Sequence, residues 1–281
     1  MKEETGSDTV IFALCALQDT AQSEVISYRG SHMPTDDELL EMISYAKSLG
    51  LRIILKPLVN CKNGTWRAHI NFFDVDVPGE PQWKNWFRSY TEYQLHYAKI
   101  AEKMNCEMLI IGCEMVQAQR IEEHWRNLIK QVRGIYSGLI SYNTDKYQEE
   151  YVSWWDAVDV ISSSGYYPVK DWDNQLDRIE KTIEKYNKPF FFAESGCPSR
   201  IGSSNIPNDW AHKGDISLYE QADYYSVMFK KVSQRSWIQG FGLWDWQSHL
   251  YLKEQGIYNK GYAVYGKPAC DVIMQFYSKI V

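Results

Sequence analysis

The sequence predicts an α/β fold, a TIM-type (β/α)8 barrel without its first βα unit, on three observations. Short apolar runs alternate with amphipathic segments from end to end. No Gly-, Ser- or Pro-rich linker or composition break divides them, so residues 1–281 read as a single domain. Seven apolar runs are present where a closed barrel has eight. An open doubly wound sheet would bring a Gly-rich phosphate turn after an early strand, and none follows residue 17.

The seven runs are VIFALCAL (10–17), LRIILKPLV (51–59), MLIIG (108–112), GLISY (138–142), DVISSSGYY (159–167), PFFFAESG (189–196) and GFGLWDW (240–246). Each is too short for a helix and apolar at successive positions, as a strand covered on both faces must be. Between the first two, Thr35 and Glu38 have capping-box spacing, Leu39, Ile43 and Ala46 share a helix face, and Gly50 ends the helix. Trp86, Tyr90, Tyr93, Tyr97, Ile100 and Met104 form a second helical stripe. Leu176, Ile179, Ile183 and Tyr186 form a third, closed by Asn187 and Pro189. Ser217 and Glu220 repeat the capping-box spacing, and Pro268 suits the first turn of the last helix.

Composition narrows the function classes. Thirty basic against 36 acidic side chains give a net charge of −6 with no basic run, which excludes a nucleic-acid partner. No stretch approaches ~18 uninterrupted apolar residues, so no membrane span is expected. The opening MKEETGSDTV is acidic where a secretory leader is basic and then apolar, which points to a cytoplasmic protein; a leader already removed would leave no trace. Six cysteines (15, 61, 106, 113, 197 and 270) without CxxC spacing read as reduced and buried. The 11 Trp, 20 Tyr and 10 Phe exceed what strands alone call for, and a few of these rings are candidates for stacking on sugar faces.

Two acids stand out because each closes an apolar run: Glu114 after MLIIGC and Glu194 in PFFFAESG. A carboxylate at a strand end is costly to bury unless it is paired or used, and barrels build their active sites at the carboxyl ends of their strands. Two carboxyls ~5–5.5 Å apart perform retaining glycoside hydrolysis, and ~6.5–9.5 Å apart inverting hydrolysis. Strand alternation turns Asp245 away from Trp244 and Trp246, while Tyr166 and Tyr167 end another strand.

Other constellations carry less. Lys56 in ILKP could be a Schiff-base lysine, which would make the protein an aldolase, or a structural or substrate contact. GYAVYGKP (261–268) nearly matches a phosphate loop, but Pro268 replaces the hydroxyl residue. The histidines at 32, 69, 96, 124, 212 and 249 lack zinc spacing, and no GxSxG elbow occurs.

GTWRAHI (64–70), IIGCEM, SWWDAVDVISSSGYYP (153–168), FFFAESG and GLWDWQ, in this order, resemble the glycoside hydrolase family 113 β-mannanases, members of the clan of retaining (β/α)8 glycosidases. The resemblance implies cleavage of β-1,4-linked mannan and manno-oligosaccharides with no metal or other cofactor. It implies Glu114 as general acid/base after the fourth strand of a complete barrel and Glu194 as nucleophile after the seventh. A negative Glu194 disfavours a second nearby charge, so Glu114 is expected to be protonated and Glu194 ionised at rest. Trp244 becomes the platform beneath the cleaved sugar and Tyr166 the neighbour of the nucleophile. Lys56, Asn60, Trp66, Arg67, His69, Asp245 and Trp246 complete the expected sugar contacts. Two departures matter. Cys113 stands where many clan members have the Asn that contacts the sugar 2-hydroxyl, which passes that contact to Asn60. The absent first strand leaves an open barrel edge along which a second copy could pair as a homodimer. The alternatives are a non-catalytic carbohydrate-binding barrel and a retaining β-glycosidase for another sugar.

Overall fold

The computed structural model describes residues 1–279. After one helical turn, α1 (Lys2–Thr5), the chain alternates strand and helix: β1 (Thr9–Gln18), α2 (Asp36–Ser48), β2 (Arg52–Cys61), α3 (Trp83–Lys103), β3 (Met108–Cys113), α4 (Glu122–Arg133), β4 (Leu139–Thr144), β5 (Val160–Ser164), α5 (Trp172–Tyr186), β6 (Phe190–Ser195), α6 (Leu218–Val232), β7 (Ile238–Leu243) and α7 (Pro268–Tyr277). Strand order follows sequence order, β1 through β7. This is the βα alternation of a barrel fold with seven strands in place of eight, as the sequence predicts. The chain forms two compact units, Thr9–Ser162 and Met1–Asp8 with the chain from Ser163 onward.

In the Thr9–Ser162 unit, β1 runs parallel to β2 in a register that pairs Thr9 with Arg52 and Gln18 with Cys61. β2 meets β3 through Ile54 with Met108 and Leu55 with Leu109. That pairing lies just before Pro57, which has no N–H to offer. β2 extends past the predicted end to Cys61, with Lys56 in mid-strand. β1 comes first in the sheet, and several of its residues are half-exposed, Cys15 among them; the other five cysteines are buried and all six are free thiols. Most aromatic side chains serve packing here. The Trp86 ring stacks on Tyr90 at 4.7 Å, and Trp125 stacks on Trp154 at 5.1 Å and meets Phe87 edge-on. The Tyr93 hydroxyl, 2.7 Å from Leu14 O and 3.0 Å from Leu58 O, fastens α3 to β1 and β2. Each such ring removes roughly 150–250 Å² from water, which outweighs the two side-chain torsions it fixes.

The predicted capping box at Thr35 is present in full, with the Thr35 hydroxyl accepting from Glu38 N–H and the Glu38 carboxylate accepting from Thr35 N–H. α4 was not among the predicted helices, although Trp125, Leu128, Ile129 and Val132 mark its buried face.

In the second unit, β6 and β7 are parallel, joined by pairs such as Phe192 with Phe241 and Ser195 with Leu243. The Phe229 ring stacks on Phe276 at 3.9 Å, packing α6 on α7. Ser217 caps α6 by accepting from Glu220 N–H, but the predicted reciprocal bond is absent. The Glu220 carboxylate instead accepts from Gly202 and Ser204 N–H, both at 2.9 Å. Burial would raise its proton affinity, yet these donors hold it below the ordinary value. β7 stops at Leu243, one residue before the predicted Trp-Asp-Trp stretch. Strand alternation therefore does not set the direction of Asp245; the Trp244–Asp245 peptide is cis and the chain has left the ladder.

Among the described residues, no helix is long and apolar enough to cross a membrane.

Candidate active site

Glu114 directly follows β3 and has φ +51°, the left-handed region that costs a residue with a Cβ about 1–2 kcal/mol. Its N–H donates to Asn143 O at 2.8 Å, and the next N–H, that of Met115, donates to the Tyr142 hydroxyl at 3.2 Å. These bonds stabilise the strained residue, which turns out of the ladder at the carboxyl end of the strand. Strain of this kind collects where a side chain must be aimed. Two donors meet the carboxylate at the same oxygen: Trp66 Nε1 at 3.3 Å and Arg67 Nη1 at 3.2 Å from Oε2. Both come from the segment after β2, where Arg67–His69 makes a 3-10 turn, and Gln117 N–H to Ala68 O ties that turn to the exit of β3.

Arg67 is itself held. Its Nε donates to Asn60 Oδ1 at 3.1 Å and Val59 O at 3.2 Å, and its Nη1 lies 3.4 Å from Cys113 Sγ. The Asn60 carbonyl oxygen, expected to serve a sugar hydroxyl, thus has a protein partner. The Trp66 indole is 43% exposed and braced edge-on by His69, ring centroids 5.9 Å apart. It is a half-open aromatic surface fastened to an acid. Lys56 is buried and donates to Asn143 Oδ1 at 3.2 Å, the oxygen that also faces the Cys113 thiol at 3.7 Å. Lys56 thereby supports the strand end that carries Glu114. Asp145, just past β4, is buried, and burial together with the nearby Glu114 charge pushes it up to about 7.

In the second unit, Glu194 is the fifth residue of β6 and is buried. The buried Tyr166 hydroxyl donates to its Oε2 at 3.0 Å, and the Tyr166 ring meets Tyr262 edge-on. Burial raises the Tyr262 phenol above its ordinary range, with Glu194 adding to the effect. Tyr167, by contrast, turns into the core against Trp172 and Phe192. Trp244 N–H donates to Ser195 O at 2.7 Å, so the 37%-exposed indole is anchored one residue from the acid. Gly196 makes this approach possible, since a Cβ there would stand 2.3 Å from Trp244 O. Trp246 rests edge-on against Tyr265. His249 is exposed beside Ser248.

The structure thus ties Trp66 and Arg67 directly to Glu114, with Asn60 on Arg67, His69 on Trp66 and Lys56 reaching Asn143; it ties Tyr166 directly to Glu194 and Trp244 to the neighbouring Ser195, while Trp246 packs on Tyr265. Asn143 and Asp145 carry no motif that marks them in the sequence, and Lys267 is marked only by the near match to a phosphate loop. Among the described residues, no group of three His, Cys, Asp or Glu is placed to hold a metal ion.

The family profile for Glycoside Hydrolase Family 113 matches residues 1–267. Among solved structures, a GH113 beta-1,4-mannanase determined as a complex is 63% identical over 99% of this chain and 90% of its own, with a TM-score of 0.98. The GH113 beta-mannanase AaManA from Alicyclobacillus acidocaldarius, in complex with ManMIm, is 40% identical over 100% of this chain and 90% of its own, with a TM-score of 0.95. The Ruminococcus gnavus beta-glucuronidase, at 15% identity over 85% of this chain and 42% of its own and a TM-score of 0.60, shares the fold alone. No match was found among curated proteins.

Proposed function

Because the chain belongs to glycoside hydrolase family 113, we propose that it cleaves β-1,4-mannosidic linkages of mannan and manno-oligosaccharides with retention of configuration, as a single catalytic domain. The observation that carries this reading is the 63% identity over 99% of the chain with a GH113 beta-1,4-mannanase.

In the proposed cycle, a Glu194 oxygen attacks the anomeric carbon while protonated Glu114 delivers its proton to the departing glycosidic oxygen. The C–O bond breaks and a glycosyl ester forms on Glu194. Glu114, now anionic, takes a proton from water, whose oxygen attacks the same carbon and frees Glu194. The Arg67 guanidinium suits the interval in which Glu114 is charged, and its bond to Oε2, shared with Trp66, fixes the plane of the carboxyl. Tyr166 holds one oxygen of the nucleophile and so orients the other. Trp244 supplies the sugar platform.

Glu194→Gln should abolish turnover of an activated aryl mannoside, while Glu114→Ala should spare good leaving groups more than poor ones. Unchanged activity in Glu194→Gln would refute the assignment. Calorimetry with mannohexaose beside a reducing-sugar assay separates catalysis from simple sugar binding, because heat without product is the mark of a binding barrel. We further take the half-exposed first strand as the edge on which a second copy docks, which sedimentation velocity checks. The six free thiols support work inside the cell, which fractionation checks.

A further inference from the structure

Lys267 lies in the GYAVYGKP stretch that resembles a phosphate loop, but it binds the protein itself. It is 3% exposed. Its Nζ donates to Ser199 Oγ at 2.9 Å, Gly261 O at 3.0 Å and Asn259 Oδ1 at 3.1 Å. Ser199 is five residues beyond Glu194 on the segment that leaves β6. The other end of that segment is held by Ser195 O accepting from Trp244 N–H and by Gly196 packing on Trp244 O. The charge facing the buried ammonium is that of Asp245, the residue next to Trp244. The Asp245 Oδ1 atom is buried and has no hydrogen-bond partner among the described residues.

An ammonium is an expensive choice for this position. Burial pushes Lys267 down to about 7 against the opposing pull of Asp245, and burial raises Asp245 against the pull of Lys267. A fold that needed only packing here would do better with an apolar side chain. The three oxygens would also stay bonded without it. Ser199 Oγ donates to Asn259 O, Asn259 Oδ1 accepts from Gly261 N–H, and Gly261 O accepts from Ser199 N–H. What an apolar replacement would lose is the one amine that draws Ser199, Asn259 and Gly261 together, and with it the charge that acts on Asp245.

We infer that Lys267 is a positioning residue for the proposed glycosidase site, its buried ammonium clamping the segment after Glu194 and holding the Trp244–Asp245 turn so that the Trp244 indole stays under the sugar. This rests on the function proposed above. A platform contacts the sugar before and during bond cleavage alike, so its displacement removes uniform binding and appears in KM more than in kcat.

The test is a cycle of Lys267→Met, Asp245→Asn and the double variant in the full chain, with steady-state kinetics on manno-oligosaccharides and thermal melting. Lys267→Met should melt at or above the wild-type temperature and yet raise KM about tenfold, with kcat changed less than about threefold. The double variant should be no worse than the poorer single, because both remove the same link. If Lys267→Met does not fold, Lys267→Gln keeps a neutral donor at the site and takes its place with the same expectation. An unchanged KM in a folded variant, or losses that multiply in the double variant, would overturn the inference. Wild-type turnover of mannan alongside those results would leave the glycosidase assignment standing; its absence would remove both.

Discussion

Replacing Gly196 with Ala perturbs the site without touching an ionisable group. The added Cβ would stand 2.3 Å from Trp244 O and 3.2 Å from the Tyr225 hydroxyl, whereas ordinary contact begins near 3.4 Å. The first obstacle is backbone, which cannot swing aside like a flexible side chain, so either the exit of β6 or the Trp244–Asp245 turn must shift by about 1 Å. The Trp244 N–H to Ser195 O bond, 2.7 Å long, spans the same gap and would stretch or break. Overpacking of this kind costs roughly 1–3 kcal/mol, a melting shift of several degrees for a chain of this size. The functional cost is of the same order, because a misplacement of about 1 Å near a reacting centre can lower turnover about a hundredfold, or about 2.7 kcal/mol. Circular dichroism would establish that the variant is folded at the assay temperature, and kcat/KM on a manno-oligosaccharide would give the loss. A folded Gly196→Ala enzyme within about twofold of wild type would refute the claim that the close approach of these two segments positions the site.

Two further outcomes are expected. Tyr166→Phe removes the hydroxyl bonded to Glu194 Oε2, a bond to a charged group worth about 1.5–3 kcal/mol, so kcat/KM should fall roughly 10- to 100-fold, and melting curves would show whether the fold is intact. Asp145 is pushed up to about 7 in the fold against about 3.9 unfolded, so the native state holds a proton that the unfolded chain has released, and stability falls as pH rises through that window. Asp145→Asn keeps the neutral form throughout, so its melting temperature should gain on wild type between about pH 5 and about pH 8; a difference that does not change with pH would contradict the assignment.

The strands were legible because a parallel strand covered on both faces must be apolar at successive positions, and the predicted runs lie over β1 to β7. Glu114 and Glu194 stood out for the complementary reason, as acids closing apolar runs. The support around them was not legible. Arg67 reaches Glu114 across 47 residues of chain and Lys56 reaches Asn143 across 87, and no local pattern encodes such partners. Lys267 looked like part of a failed phosphate loop because its three acceptors come from residues 199, 259 and 261, which only the fold brings to one amine. Strand alternation is no guide to the direction of Asp245, because the ladder ends at Leu243. The left-handed backbone at Glu114 has no sequence signature at all, since glutamate is not a residue that favours it.

The distribution of indoles also decides what optical measurements on this protein can report. Trp86, Trp125, Trp154, Trp155 and Trp172 are fully buried, so much of the intrinsic emission arises from rings that water reaches only when the chain melts. Trp66 and Trp244 are open enough to be quenched or screened by an incoming ligand, against a background from the interior that such binding leaves unchanged. A small spectral change on adding sugar and a large one on heating would therefore come from two separate populations of the same chromophore, and removing Trp66 or Trp244 singly would assign the small one.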